Sequence, residues 1–195
     1  MLGRLIIAAN VWLVVGCGSS VQSDPGPLVD NTQWRQTVEG EEFFGMPPEG
    51  ATCPPPEGDC PDFETDECVD VPQTCKVSFV AECLAPFTVL AVYTESCNWI
   101  TLEQPSLRPV RAGDEIEVRA FHFVLTAPFN AEARISLTLG DEMIFDETVQ
   151  IPQIDGRPLD GTWTATRDFE AGTPMLFHVN NHGANEYLLI EVNVL

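Results

Sequence analysis

The sequence contains very little positive charge. Only nine of its 195 residues are lysine or arginine, against 30 aspartates and glutamates, and Lys76 is the single lysine. A chain with this balance repels the phosphates of nucleic acids and the anionic head groups of membranes. Nucleic-acid binding is therefore excluded as a function, whereas cations, basic proteins and neutral sugars are compatible as ligands.

The short motifs that mark the common enzyme classes are missing as well. The chain has no GxSxG, no phosphate-binding P-loop, no GxGxxG and no HExxH. It has seven serines, and none stands beside a recognisable base. A glycosidase needs two carboxylates at a defined separation, which a sequence by itself does not display. We therefore expect a protein that is not an enzyme, with a small hydrolase as one alternative.

Long apolar runs are absent except for one near the start of the chain. Residues 5–15 are apolar apart from Asn10, and Arg4 precedes them. The run is too short to cross a bilayer, which takes about 20 residues. A positive charge, a short apolar stretch and a small residue at Gly16 are together typical of a secretory signal peptide.

The end of that run, VVGC at residues 14–17, resembles the signal of bacterial lipoproteins. The resemblance implies that residues 1–16 are removed, and that Cys17 carries a thioether-linked diacylglycerol and an acylated amine. Two or three acyl chains, such as palmitate, suffice for stable anchoring. Gly18 and Ser19 follow the cysteine, where an aspartate would favour the inner membrane. The resemblance therefore implies an anchor in the outer membrane, on either its periplasmic or its surface face.

Cysteines are numerous in the rest of the chain. Without residues 1–16 the protein would hold eight basic and 30 acidic residues, a formal charge of −22. An even number of cysteines in an exported chain predicts three disulfides, and the sequence leaves their pairing open. No CxxC occurs, which argues against a cysteine zinc site. The six cysteines are Cys53, Cys60, Cys68, Cys75, Cys83 and Cys97.

Residues 17–52 have the composition of a flexible tether. They are rich in proline, glycine and serine and show no sustained period. A coil of this length would span roughly 30 Å root-mean-square. Trp34, Phe43 and Phe44 are unusual in a linker. They either dock on the folded domain or on a partner, or belong to a loosely packed arm.

Residues 53–75 form an acidic segment rich in cysteine and proline. Residues 39–70 contain eleven acids and no base. Such a segment buries too little apolar area to fold alone, so we expect disulfides to hold it. Asp62, Glu64 and Asp66 alternate and are candidate Ca²⁺ ligands. The EF-hand pattern fails here, and a solvated acidic loop is the alternative.

Residues 76–195 alternate between apolar and polar side chains. Eight or nine short runs are separated by turn signals at intervals of about 8–15 residues. Residues 115–125 show the strongest alternation, and Gly140-Asp141 has the composition of a two-residue hairpin turn. This pattern predicts a mainly β fold. We expect an antiparallel, jelly-roll-like β-sandwich, preceded by the disulfide-rich segment and the tether.

Three histidines are candidates for a transition-metal site. His178 and His182 lie four residues apart, and His122 stands on an earlier predicted strand. If all three met at one rim, their imidazoles could bind a metal ion. The alternative is structural: a histidine in an Asn-Asn-His-Gly turn commonly bonds the neighbouring backbone.

Aromatic side chains offer a second kind of candidate site. Trp99, Trp163 and Tyr187 lie in or near predicted strand ends. A flat row of exposed rings could stack on sugar faces, although buried packing is the usual role of tryptophan in a sandwich.

The interpretation that follows is a lipoprotein anchored to the outer membrane. We expect it to act as a non-enzymatic module for recognition, adhesion or envelope assembly, whose partner is another envelope protein or a glycan. Three alternatives stay open: a carbohydrate-binding module, an inhibitor of a secreted protease that uses residues 53–75, and a small hydrolase.

Overall fold

The alternating residues fold as strands that stack in two antiparallel sheets. The computed structural model describes residues 23–47, 53, 57–58, 67–69, 76–95, 97–127 and 129–195. One sheet, sheet A, has six strands, and the other, sheet B, has five. The predicted antiparallel β-sandwich is therefore confirmed.

The described part of the chain contains eleven strands and one short helix. No helix among the described residues is both long and apolar enough to cross a membrane. The elements are β1 Gly26–Pro27, β2 Arg35–Thr37, α1 Glu41–Phe44, β3 Phe79–Leu84, β4 Phe87–Tyr93, β5 Trp99–Pro105, β6 Glu115–His122, β7 Ala131–Leu139, β8 Glu142–Ile151, β9 Arg157–Thr164, β10 Pro174–Asn180 and β11 Glu186–Val194. Sheet A has the strand order β3-β4-β11-β6-β9, with the short β1 also paired to β11. Sheet B has the order β2-β5-β10-β7-β8.

The core lies between the inner faces of the two sheets. Strand β6 shows why these residues form strands: Ile116, Val118 and Ala120 are buried, and the residues between them are not. Period-two alternation places one set of side chains in the core and the other outside. The turn predicted at Gly140-Asp141 joins β7 to β8, and Gly140 adopts a positive φ of 58° there. A glycine suits that conformation because it has no Cβ.

Residues 23–47 differ from the tether that the composition predicted for 17–52. Strand β1 pairs with β11 of sheet A, and β2 pairs with β5 of sheet B. Trp34, which lies between these strands, is only 2% exposed and belongs to the main core. This part of the chain therefore crosses from one sheet to the other and is part of the sandwich.

Asn31 explains why so short a segment docks firmly. Its side-chain amide donates to the backbone oxygens of Thr88, Leu189 and Ile190 at 2.9–3.1 Å. Its side-chain oxygen accepts a hydrogen bond from Trp34 Nε1 at 3.0 Å. Proline and glycine resemble linker composition in a sequence, but they are also tolerated in very short edge strands that pair with existing ones.

Two disulfides lie within the described residues. Cys53 is bonded to Cys97, with Cα atoms 4.5 Å apart, and Cys68 is bonded to Cys83 in β3, with Cα atoms 5.2 Å apart. Both bonds tie the cysteine-rich segment to the sandwich. The prediction that disulfides hold this segment is confirmed for these two pairs.

The remaining two cysteines of the predicted framework, Cys60 and Cys75, lie outside the described residues. Backbone pairing supports the attachment that the disulfides make. The N–H of Val69 donates to Ala81 O in β3 at 2.9 Å, and Glu57 pairs with Lys76 through two backbone hydrogen bonds. Val69 thus pairs with β3 at the margin of sheet A.

Truncation of Trp34 tests whether residues 23–47 are an integral part of the sandwich. We expect Trp34→Ala to lower the free energy of unfolding by about 3–5 kcal/mol, because it opens a cavity in the main core and removes the hydrogen bond to Asn31. The matched control is Val38→Ala, since Val38 is 88% exposed and follows β2 in the same segment. Chemical denaturation of both variants is the measurement, and equal midpoints would contradict an integrated segment.

Candidate functional site

The outer face of sheet A brings aromatic and carboxyl side chains together at one end of the sheet. Tyr93 at the end of β4 stands opposite Glu186 at the start of β11. Phe123, which follows β6 on the other side of β11, donates its backbone N–H to the backbone oxygen of Glu186 at 3.4 Å. Side chains directly opposite one another on neighbouring strands lie on the same face. The three residues therefore form a row across sheet A.

At the β6 end of this row, Phe123 is joined by a second phenylalanine, Phe121 of β6. The rings of Phe121 and Phe123 meet edge to face, with centroids 5.2 Å apart. Phe121 stands opposite the buried Leu188 of β11, whereas Phe123 is 43% exposed. A ring pair held in this way presents a fixed apolar surface to solvent.

Tyr93 links the row to β3. Its hydroxyl donates a short hydrogen bond to a carboxylate oxygen of Glu82. Burial, together with this bond and the negative charges of Glu82 and Glu186, raises the pKa of Tyr93 above its ordinary value. The phenol therefore stays protonated at every physiological pH. We call Glu82, Tyr93, Phe121, Phe123 and Glu186 the aromatic–carboxyl face.

Glu186 has an altered protonation behaviour. Burial, and then the nearby negative charge of Glu82, raises the pKa of Glu186 to about 7. Near neutral pH the carboxyl is consequently a mixture of a charged acceptor and a neutral group that both donates and accepts hydrogen bonds. Such adaptable hydrogen bonding suits a ligand that carries hydroxyl groups.

An apolar layer supports the aromatic–carboxyl face. Val80, Val89, Ala91 and Leu188 form a buried cluster on the outer side of sheet A, separate from the main core. Val69 of the cysteine-rich segment is among the side chains that pack against this cluster. Val69, which follows the disulfide-bonded Cys68, therefore lies beside the candidate site and contributes to burying the face of the sheet next to it.

Close contacts between turns hold the end of the sandwich next to this face. A Cβ on Gly156 would lie 2.8 Å from His122 O and 2.9 Å from the Phe121 ring. A Cβ on Gly183, whose φ is 103°, would lie 2.1 Å from Thr126 O. Only glycine allows these approaches. The turn at 152–156 therefore packs against the end of β6, and the turn at 181–185 packs against the chain that follows it.

An asparagine network completes this end of the molecule. Asn181 is fully buried; its Nδ2 donates to Gly183 O at 2.8 Å, and its Oδ1 accepts from Tyr187 OH at 2.7 Å. Asn185 bridges to the neighbouring loop, accepting from Thr126 N at 2.6 Å and donating to Thr126 O at 3.0 Å. We call residues 123–127, 152–156 and 181–185 the loop end.

The three candidate metal-binding histidines do not meet. His122 is buried on the inner side of sheet A, where its Nδ1 contacts Phe123 O at 2.6 Å and its Nε2 accepts from Arg157 at 3.2 Å. His182 lies in an exposed turn, with its ring 6.0 Å from that of Phe129. Within the described residues no group of three or more His, Cys, Asp or Glu side chains could hold a metal ion.

His178 is buried on the outer side of sheet B. Its Nδ1 lies 2.9 Å from Thr101 Oγ1, and its ring stacks on Phe44 with centroids 4.4 Å apart. Burial lowers the pKa of His178 to about 3; the positive charge of Arg134 adds to the shift, while Asp146 and a backbone hydrogen bond oppose it. His178 is therefore a neutral structural residue under α1.

The aromatic residues expected to form a sugar-stacking row are divided among several surfaces. Tyr187 is buried on the inner side of sheet A, and its hydroxyl bonds Asn181. Trp163 packs partly buried against the main core, 6.1 Å from Phe169. Trp99 contacts His178 edge to face at 4.7 Å on sheet B. These three rings therefore do not share one face.

Other predicted sites lie outside the described residues. They are the lipid-bearing Cys17 and the candidate calcium ligands Asp62, Glu64 and Asp66. The residues that the sequence did not single out are Glu82, Tyr93 and Glu186. One signal was available for the phenylalanines, since alternation through β6 placed Phe121 and Phe123 on the face opposite the core. No sequence pattern shows that β4 and β11 become neighbours.

Comparison with known proteins gives only distant similarity. No protein-family model matches the chain, and no curated protein matches its sequence. A solved Stig cyclase from Fischerella sp. TAU is 14% identical, with a TM-score of 0.41 over 61% of this chain and 69% of that chain.

Carbohydrate-binding modules are also among the similar solved structures. The CBM22-1 xylan-binding domain from Paenibacillus barcinonensis is 14% identical, with a TM-score of 0.38 over 62% of this chain and 80% of that chain. A CBM4 structure is 11% identical, with a TM-score of 0.37 over 57% of this chain and 72% of that chain. At these values the similarities say nothing about the ligand of this chain.

The buried, neutral His178 predicts a loss of stability in acid. The unfolded chain takes up a proton below pH 6.5, whereas the folded chain does so only near pH 3. The free energy of unfolding should therefore fall as pH decreases from about 6.5 to 3, by up to ~1.4 kcal/mol per pH unit from this residue. We expect His178→Gln to flatten the dependence relative to the parent.

The matched control for this prediction is His182→Gln, which changes an exposed histidine in a turn. Urea denaturation between pH 3.5 and 7.5 is the measurement. If the stability of His178→Gln and of His182→Gln followed the same pH profile, the prediction that His178 is buried as a neutral imidazole would be wrong.

The raised pKa of Glu186 predicts a pH dependence of the free energy of unfolding that has the opposite sign. Its pKa is raised from 4.5 to about 7, so its contribution to stability is complete below pH 4.5 and is lost as pH rises through 7. Relative to the parent, Glu186→Gln should therefore become progressively more stable between pH 5 and 8. Glu147→Gln, in the exposed part of β8, is the control and should show no such trend in the same denaturation series.

Proposed function

We propose that the protein is a non-enzymatic recognition module that binds a neutral glycan on the aromatic–carboxyl face. The observation that carries this proposal is the row of Tyr93, Glu186 and Phe123 across sheet A. It combines an exposed ring with carboxyl and phenol groups on neighbouring strands. A rigid sheet holds these groups in place, so that little conformational entropy is lost on binding.

The chemistry of the face matches a sugar better than other ligands. The negative face of an aromatic ring attracts the weakly positive C–H groups of a pyranose. Carboxylates accept hydrogen bonds from hydroxyl groups, and charge makes these bonds stronger than neutral ones. Glu186 can also donate a hydrogen bond when it is protonated, which occurs in an appreciable fraction of molecules near pH 7.

The charge of the chain narrows the choice of glycan. The protein carries a formal charge of −21, and two carboxyl groups stand on the candidate face itself. Sugars that bear carboxylate, sulfate or phosphate groups would meet repulsion there. A neutral oligosaccharide is therefore the ligand class that we propose.

The start of the sequence supports a proposed location for the protein. We propose that Cys17 carries the lipid and that the sandwich is displayed from the outer membrane, because the VVGC motif follows a short apolar run. A module fixed to an envelope gains effective concentration when several copies bind one polymer, so that weak individual contacts suffice.

Binding of the full-length protein in detergent to neutral, acidic and amino oligosaccharides tests this function. We expect Phe123→Ala to weaken binding of the preferred neutral sugar by about tenfold or more, which corresponds to ~1.4 kcal/mol. The control is Phe129→Ala, since Phe129 is 61% exposed but lies outside the aromatic–carboxyl face. Titration calorimetry gives the affinities.

Three results would contradict the glycan proposal. They are no binding to any sugar, preference for acidic sugars, or equal loss in the Phe123→Ala and Phe129→Ala variants. In the first case the exposed apolar side chains at the loop end would favour a protein partner, as in adhesion or envelope assembly. Inhibition of a secreted protease by residues 53–75 stays a separate prediction.

A small glycoside hydrolase is the second candidate function. The observation that favours it is the pair Glu82 and Glu186, which interact electrostatically while Glu186 holds its proton to about pH 7. Glycosidases use one protonated and one ionised carboxyl group. Release of reducing sugar in the same assays, abolished by Glu186→Gln, would identify an enzyme; binding without release would identify a module.

A further inference from the structure

The first described residues are fixed to one end of the sandwich. The N–H of Ser23 donates to Asp114 Oδ1 at 3.1 Å. Asp114 is fully buried, and its other oxygen accepts from the N–H of Arg111 at 2.7 Å. Burial opposes ionisation of Asp114, but these hydrogen bonds outweigh it and lower its pKa. Asp114 is thus an ionised acceptor that holds the chain at Ser23.

Arg108 fastens the next few residues to the same end. Its guanidinium donates to the backbone oxygens of Asp24 and Pro25 at 2.9 Å and to that of Pro27 at 3.0 Å. Strand β1 then pairs with the last residues of β11, Gly26 with Val194. Three independent contacts therefore fix where the chain reaches the domain. We call residues 23–27, 108–114 and 165–173 the anchor end.

The anchor end and the aromatic–carboxyl face lie at opposite ends of β11. Val194 pairs with β1 at the anchor end, whereas Glu186, eight residues earlier in the same strand, belongs to the aromatic–carboxyl face. At about 3.3 Å per residue, β11 separates the two by roughly 26 Å. Strand β6 gives the same order, since it begins beside Asp114 and ends beside Phe123.

Few residues separate the proposed lipid attachment at Cys17 from the first described residue of the domain. Cys17 and Ser23 are six residues apart in the sequence. Fully extended, this stretch spans at most ~21 Å. The predicted 35-residue tether would have let the domain turn in any direction, but a six-residue connection shorter than the domain does not.

From these lengths we propose that the anchor end faces the bilayer, and that the aromatic–carboxyl face and the loop end point away from it. The inference rests on the lipidation of Cys17, which is part of the proposed function. The surface that meets the lipid head groups consists of the turns at 111–114, 140–141 and 165–173. The ligand would then approach from the side remote from the membrane.

The charges at the anchor end are compatible with this orientation. Arg111 lies 3.4 Å from Asp168 and 3.2 Å from Glu170. Arg167 makes ion pairs with Asp141 and Glu142. Arginines therefore offset part of the acidic charge in the turns that would approach anionic head groups, which reduces the repulsion expected from the chain as a whole.

Energy transfer from the protein to labelled lipids tests the orientation. The full-length lipidated protein is placed in phosphatidylcholine vesicles that carry an acceptor dye on their head groups. A donor dye is attached through Glu170→Cys at the anchor end or through Asp155→Cys at the loop end, both of which replace exposed acids. We expect severalfold greater transfer from position 170 than from position 155.

An insertion of twenty glycine and serine residues after Ser20 is the matched control. It lengthens the connection beyond the size of the domain, and the difference between the two positions should then largely disappear. Equal transfer, or greater transfer from position 155, in the parent chain would overturn the proposed orientation.

Vesicle binding separates this inference from the proposed function. If the parent binds vesicles and Cys17→Ser does not, the lipid anchor is present. The ratio of energy transfer from position 170 to that from position 155 then tests the orientation alone. If neither binds, the lipid anchor and the orientation are both overturned, whereas the glycan titration in detergent still decides the ligand independently.

Discussion

The hydrogen bonds of Asn31 are the interaction on which the rest of the structure depends. Asn31 binds three backbone oxygens of sheet A and orients Trp34, whose ring enters the core about 6 Å from Phe177 of sheet B. The segment thereby closes one side of the sandwich and joins both sheets. The same segment therefore completes the core and also pairs with a strand of each sheet.

Acidic surface and buried carboxyl groups serve different purposes in this molecule. Most of the acids among the described residues are exposed, and their charges cost little free energy because water solvates them. Glu186 is different, since burial near Glu82 makes its ionised form costly. A position that resists ionisation is destabilising at neutral pH, and such positions are found disproportionately where a ligand is bound.

More of the fold than of the candidate site could be predicted from the sequence. Alternation identified the sandwich and the Gly140 turn, because period two and turn chemistry are local properties. Residues 23–47 were interpreted as a tether because strands of two or three residues leave no period, and the docking of Trp34 depends on distant partners. The aromatic–carboxyl face combines residues from β3, β4, β6 and β11, whose neighbourhood follows from topology and not from spacing. The aromatic residues chosen from their proximity to strand ends, such as Tyr187, instead fill the core.

The position of the Cys68–Cys83 disulfide has a consequence for pairing between copies of the protein. Strand β3 is the outermost strand of sheet A, and an unpaired strand edge is a template on which a second molecule can polymerise. Val69, held in place by that disulfide, occupies a hydrogen-bonding position along this edge. The Cys68–Cys83 bond therefore fixes a backbone hydrogen bond on part of the open edge of β3, so that less of this edge is available for pairing with a second copy.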